Sequence, residues 1–292
     1  MKGYYHYSSK GFTKEILFAD EAEFIAGMNR IAVCLAMCKE KEMSINILAF
    51  CLMDNHFHFI FHGEKEYCDF FINTYKKLTS MWIVKHRKRP LADTFTTGSF
   101  PISPSKVGEK IAYLLRNPVA GGLRITPQGY KWSSGNLMFS DVKSALTGAR
   151  NIGNFSYREK RRLLSSHTTI PENWMVRTDG LIWPGCYTDY KTAEAFFPSV
   201  RSFMFELNNF KLDSEIDTEE VKQFYSLPDS EVLFRAVQTC MEYYQKDRIS
   251  KCSLEERVSV AKILQRELHC NDKQLARVLR IKSEVLGNCP LY

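Results

Sequence analysis

The sequence predicts an α+β protein, an antiparallel sheet carrying helices, followed by a mainly helical C-terminal extension. Three observations lead there. One is the alternating segment Asp54-Asn55-His56-Phe57-His58-Phe59-Ile60-Phe61-His62, in which side chains two apart share a face of a strand. Another is the Asp54-Asn55 pair between two apolar runs, the mark of a hairpin. The last is the order of periodic segments through Arg87, which reads strand, helix, strand, strand, helix.

Taken in order, Gly3–Leu17 is rich in Tyr, Ser, Thr and Phe and suits a strand with a loop near Gly11. Asp20–Lys39 reads as a helix capped by Asp20, with Phe24, Met28, Ile31 and Leu35 as its apolar stripe. Ile45–Met53 is a buried strand, and His56–His62 the strand that follows the turn. Tyr67–Arg87 is helical, with Phe70, Ile72, Tyr75, Leu78 and Trp82 set against Lys76, Lys77 and Lys85. Pro90–Pro104 is a linker or short strand. Ser105–Leu115 is a helix expected to stop at Asn117-Pro118, because the residue before Pro disfavours helical geometry. Gly121-Gly122 turns the chain, and Tyr130-Lys131-Trp132-Ser133-Ser134 closes this half.

Beyond Asp141 the patterns are shorter. Asn151–Gly185 has helical hints, Glu194–Phe210 is rich in Phe, Leu212–Glu220 is acidic, and Asp229–Lys246 is helical. Ser253-Leu254-Glu255-Glu256 forms a capping box opening a helix through Leu268. Asn271–Leu279 is a second helix, and Ser283–Leu286 starts a third. The layout is that of a helix-turn-helix, with Arg277, Arg280 and Lys282 expected near DNA, or of an ordinary helical hairpin; the basic excess at the end of the chain favours the former. The chain therefore divides into 1–140, a helical stretch 141–250, and a helix-turn-helix 251–292.

Composition narrows the function classes. The chain has 292 residues, 45% hydrophobic and 25% charged, ordinary for a water-soluble globular protein. No apolar run approaches the roughly 20 residues of a membrane span, and the N-terminus lacks the apolar core of a secretory signal. No C-x-x-C pair occurs, so reduced thiols in a cytoplasmic protein are the simplest account of nine Cys. The net charge is +7, and all of it falls in residues 1–150, with 20 Lys/Arg against 13 Asp/Glu. Residues 151–292 hold 20 of each. Such one-sided charge favours a polyanionic substrate. Lys85, Arg87, Lys88 and Arg89 form one basic cluster, read equally well as phosphate contacts or as a solvated helix end.

His56 and His58 project from one strand face, the start of a divalent-metal site. On a helix, Tyr113 and Asn117 are one turn apart and share a face. A phenol there can act as a nucleophile toward a phosphodiester, and a metal held by the His pair can polarise the phosphate. Taken singly, each feature has a plain structural explanation; His62 is read as a bystander at the strand end.

Together, Asp54-Asn55-His56-Phe57-His58, Tyr113-Leu114-Leu115-Arg116-Asn117-Pro118-Val119 and Tyr130-Lys131-Trp132-Ser133-Ser134 resemble the single-tyrosine HUH transposases, in the branch of the REP-associated tyrosine transposases. The resemblance covers residues 1–140. It implies a ferredoxin-like sheet with helices on one face. His56 and His58, completed by Asn117, would bind Mg²⁺ or Mn²⁺. Tyr113 would attack single-stranded DNA bearing an imperfect hairpin, forming a 5′-phosphotyrosine and releasing a 3′-OH. Charge and placement alone add Lys76, Lys77, Lys85 and Arg116 as backbone contacts. The resemblance further implies a bacterial, nucleoid-associated protein, working as a monomer or a homodimer.

The sequence departs from that family in two ways. Arg116 stands at a usual Leu, and Ala120-Gly121 replaces Arg-Ala, which weakens substrate binding if the lost arginine contacts DNA. The chain also runs some 150 residues past the core motifs. An alternative is therefore a domesticated, catalytically weak DNA-binding regulator of the same fold. A protein with no nucleic-acid role fits the one-sided charge and the three ordered motifs less well.

Overall fold

A computed structural model describes residues 2–121, 126–208, 227–268, 270–282 and 285–286. Its first half is β1 (Lys2–Ser9), α1 (Glu21–Glu40), β2 (Ile45–Leu52), β3 (Phe57–Glu64), α2 (Lys65–Arg87) and β4 (Thr97–Ile102). The four strands form one antiparallel sheet in the order β2-β3-β1-β4. A βαββαβ chain with that strand order is the ferredoxin-like arrangement.

The alternation in β3 sorts its residues as the sequence predicts. Phe57, Phe59 and Phe61 enter the core beneath α1 and α2, joined by Tyr7, Met28, Phe71 and Tyr75. Ile60 belongs to the opposite face, packed with Ile111, Leu114 and Leu115. In β2 the parity switches. The register slips between Ile47 and Ala49, so Leu48 is the extra residue of a bulge. Ile47 and Phe50 consequently face α1, while Leu48 and Ala49 face the other way.

That other face is covered by α3 (Val107–Ala120). The helix does not stop at Leu115 as expected from Asn117-Pro118; Pro118 lies inside it. Pro118 has no N–H to offer Leu114 O. The Asn117 side chain supplies the missing donor, its Nδ2 reaching Leu114 O at 3.2 Å and Tyr113 O at 3.1 Å.

The Tyr130–Ser134 segment protects a sheet edge. Leu52 N donates to Trp132 O at 2.9 Å, Ser134 N donates to Phe50 O at 3.0 Å, and Tyr130 Oη donates to Leu52 O at 2.8 Å. Trp132 stacks on Phe24 of α1 at 4.7 Å. The open edge of β2 is thus occupied and unavailable for pairing with another chain.

Next come α4 (Val142–Ala145), β5 (Arg150–Asn151), α5 (Tyr157–Leu164), β6 (Met175–Val176), α6 (Tyr190–Glu194) and α7 (Val200–Asn208). Ile152, Leu164, Trp174 and Tyr187 extend the core on the α1 side, and Phe197, Phe203 and Leu207 extend it around α3. The acidic stretch Leu212–Glu220 lies outside the described residues.

The C-terminal helices are α8 (Asp229–Tyr244), α9 (Leu254–Leu268) and α10 (Asp272–Leu279). They share a separate core of Val232, Ala236, Val260, Leu264, Leu275 and Leu279. The capping box expected at Ser253 forms, and α10 is capped by Asn271 rather than Asp272. Ser253 and Glu256 satisfy each other's backbone N–H, and Asn271 accepts from Gln274 N at 2.7 Å. The third helix expected from Ser283 begins outside the described residues. Among the described residues, no helix is long and apolar enough to cross a membrane.

The basic cluster at the end of α2 splits: Lys85 and Lys88 are exposed, while its two arginines are neither phosphate contacts nor a solvated helix end. The Arg87 guanidinium is turned inward to Glu15 and Glu23 and to the carbonyls of Ile16 and Leu17. Arg89 also binds Glu15, at 2.7 Å. Both carboxylates are buried. This clamp ties the β1–α1 connection to α2, which a local reading of a basic run cannot reveal.

Candidate metal and tyrosine site

His58 sits on β3 and His56 just before it, in the turn from β2. Their rings are 4.8 Å apart, edge to face. Each Nδ1 already has a partner. That of His56 meets Asn55 Oδ1 at 2.7 Å, and that of His58 meets His6 Nε2 at 3.1 Å. A carboxamide oxygen only accepts, so His56 Nδ1 carries the proton and its Nε2 keeps a lone pair. His58 Nε2 is buried with no hydrogen-bond partner among the described residues.

His6 went unnoticed in the sequence. It lies on β1, opposite Ile60 of β3 and Phe100 of β4, and register alone brings it beside His58, 52 positions away. The only signal for it is the Tyr-His-Tyr alternation at the start of the chain.

All three imidazoles are held neutral. Burial, and then the nearby Lys110, lower His6 from 6.5 to about 4. Burial, and then Arg277, lower His56 to about 4. His58 is pushed well down by burial and by its two His neighbours. The Asn117 side chain opposes the shift at both His56 and His58, so it faces both rings although no good hydrogen bond reaches His58 Nε2.

Tyr113 and Asn117 occupy the face of α3 turned to this sheet surface, both half-buried. The Tyr113 ring stands edge-on to His6 at 6.1 Å, and Lys110 Nζ lies 5.1 Å from the Tyr113 ring centre. His62 is further along β3 and stacks on Tyr4 at 4.6 Å.

The expected DNA-contact residues are not gathered there. Arg116 is buried and donates to Glu206 O. Lys76 reaches Thr97 Oγ1 at 3.2 Å beside β4. Lys77 is exposed on α2, and Lys85 lies on the outer side of α2, across the sheet from the histidines. Arg277 of α10 binds Asp229 rather than pointing to solvent. Asp229 N in turn donates to Asp54 Oδ2 at 2.6 Å. The C-terminal unit is thereby anchored on the turn that leads into His56. Burial and then Asp229 raise the Asp54 carboxyl to about 7. Arg280 and Lys282 are exposed.

A second set of ligand-type atoms, on Asp20, Glu23 and His86, lies within 4.8 Å. Asp20 there caps α1 and Glu23 holds Arg87, so both carboxylates are already engaged.

No family model matches the chain, and no curated protein matches it. A solved structure of a REP-associated tyrosine transposase bound to a REP hairpin is similar over 45% of this chain and 76% of that one. Identity is 10% and the TM-score 0.32.

Proposed function

We propose that the protein is a metal-dependent single-stranded DNA endonuclease and strand transferase acting through a 5′-phosphotyrosine on hairpin-bearing DNA. One observation carries the reading. The sheet and α3 bring a neutral His pair, Asn117 and Tyr113 to one half-buried surface, where His58 Nε2 has no hydrogen-bond partner among the described residues. A buried imidazole nitrogen without a partner costs free energy unless a ligand uses it. Neutral imidazoles with Nδ1 engaged are oriented to offer Nε2 to a cation, so His56, His58 and Asn117 fit Mg²⁺ or Mn²⁺.

A bound ion of that kind supplies Lewis-acid polarisation of the scissile phosphate. Tyr113 Oη attacks phosphorus, the phenolic proton departs, and the P–O3′ bond breaks. The 5′ phosphate stays on Tyr113, and the 3′ oxygen takes up a proton. The Lys110 ammonium stands over the ring of the attacking group, 5.1 Å from its centre, and adds positive charge beside the incoming phosphate. Attack of a 3′-OH on the phosphotyrosine reverses these bond changes and joins strands.

The chemistry belongs to residues 1–140, and the C-terminal helices serve DNA contact through exposed Arg280 and Lys282. Lys76 and Lys77 on α2 remain the proposed phosphate contacts of the first domain, with Lys85 a more remote one; Arg116, buried against Glu206 O, is not among them. We place the protein in the cytoplasm with the nucleoid, as a monomer or homodimer.

The test is labelled single-stranded hairpin DNA from the flanks of its own gene, incubated with protein and Mn²⁺ and run on a denaturing gel. Wild type is expected to carry covalent label, lost in Tyr113→Phe and in EDTA. An adduct that survives in Tyr113→Phe refutes the assigned nucleophile. Binding without an adduct, in either metal and with several hairpins, refutes the enzyme and leaves the DNA-binding regulator.

A further inference from the structure

Across the sheet from the histidines, α1, α2 and the end of α5 enclose a half-open cavity of about 480 Å³. Arg30, Trp82, Lys85, His86, Ser165 and Ser166 supply its polar and aromatic lining. Arg30 decides its character. The residue is 3% exposed, and its Nη1 donates to Ala26 O at 3.0 Å. It forms no ion pair among the described residues. Burial lowers its pKa to about 10, and the titratable groups facing it are Tyr75 and Cys34. Both are themselves pushed up, hence neutral. A desolvated guanidinium without a countercharge is costly, and such cations are ordinarily paired. Among the described residues no carboxylate lines the cavity itself; Asp20 and Glu23 meet His86 at its edge.

The remaining walls select the kind of anion. The Arg30 guanidinium lies over Trp82 at 5.3 Å, and Trp82 stacks on His86 at 4.7 Å and 11°. His86 is exposed. Lys85 and the Ser165 and Ser166 hydroxyls add donors at the rim. Close by, α5 carries Arg158, Lys160, Arg161 and Arg162 against Glu159 alone. Guanidinium and hydroxyl donors suit a phosphate, and a flat ring plane suits a base.

We propose that this cavity is a second binding site, for a nucleoside phosphate. Its phosphate lies toward Arg30 and Lys85, and its base continues the Trp82–His86 stack. The size fits, since small-ligand pockets run from about 300 to 1,000 Å³. The site stands apart from the tyrosine chemistry, because the sheet lies between them.

The experiment is calorimetric titration of the full chain in EDTA with AMP, adenosine, inorganic phosphate and a short oligothymidylate. AMP is expected to bind about tenfold or more tightly than adenosine, the worth of a charge-assisted contact. Lys85→Glu, at an exposed position, is expected to weaken AMP by about tenfold. Arg30→Met, checked for folding by circular dichroism, is expected to abolish binding. His58→Ala is expected to leave it unchanged, which separates this site from the one proposed for catalysis. Displacement of AMP by the oligonucleotide identifies a strand as the source of the nucleotide, and AMP binding without displacement identifies a free nucleotide. No binding of AMP or oligonucleotide to wild type overturns the proposal. So does binding that Lys85→Glu leaves intact.

Discussion

Arg87→Met tests whether the basic end of α2 is an internal clamp or a DNA contact. Arg87 donates to Glu23 at 2.6 and 2.5 Å, to Glu15 at 3.1 Å, and to the carbonyls of Ile16 and Leu17 at 3.0 and 2.9 Å. Its loss does not fall equally on the two acids. Glu15 keeps Arg89 at 2.7 Å. Glu23, 2% exposed, keeps only the backbone donor of Ala19 among the described residues. Removing one partner of a buried pair costs about 3–5 kcal/mol, most of it the stranded charge. For a chain of this size that lowers the thermal midpoint by roughly 10 °C. Adding Glu23→Gln to Arg87→Met is then expected to recover part of the loss, because the stranded charge is gone. The assay is urea unfolding of both variants, alongside the salt dependence of DNA binding. A phosphate contact would instead contribute about 0.7–0.9 to the slope of log affinity against log salt. A folded-state cost below about 1 kcal/mol together with a shallower salt slope would falsify the clamp.

Other expectations follow from the same contacts. Asn117→Ala strips Leu114 O of the donor that Pro118 cannot provide, at about 1–2 kcal/mol. Pro118→Ala in that background should recover the loss by restoring an N–H, and denaturant titration showing no recovery would count against the substitute hydrogen bond. His6 is lowered from 6.5 to about 4 by burial, so the unfolded chain binds the proton more readily between those values. Its contribution to stability is complete above about pH 6.5 and shrinks as pH falls toward 4, by about 3 kcal/mol in the limit. His56 and His58 act in the same direction. Thermal scans in EDTA should show the midpoint falling through this window, and a flat profile would contradict the neutral cluster. Phe59→Ala removes a fully buried ring that meets Phe57, Phe61, Phe71 and Tyr75, at about 3–5 kcal/mol. Phe100→Ala, 56% exposed, should stay within about 0.5 kcal/mol, and equal losses for the two would disprove the assigned burial.

The sequence by itself determined what short-range periodicity and local stereochemistry can encode. Period-two alternation put Phe57, Phe59 and Phe61 on one face and His58 on the other. Asp20 and Ser253 marked two helix starts, because a cap is satisfied within one turn of chain. The spacing of Tyr113 and Asn117 was enough to place them on one helical face. Only the tertiary structure decided what depends on distant segments meeting. His6 reaches His58 through strand register, which no local pattern records. The bulge at Leu48 reversed the parity of β2, and the apolar residues on both sides of it hid the change. Asn117 carried α3 past Pro118 by a side-chain hydrogen bond that backbone preference does not anticipate. Arg87 looked like surface charge because its carboxylates, Glu15 and Glu23, are more than sixty positions away. Arg30 sat within a helical stripe, and only the packing of α2 and α5 around it left a buried cation facing an open cavity. In each case the deciding energy was desolvation, set by which segments the fold brings together.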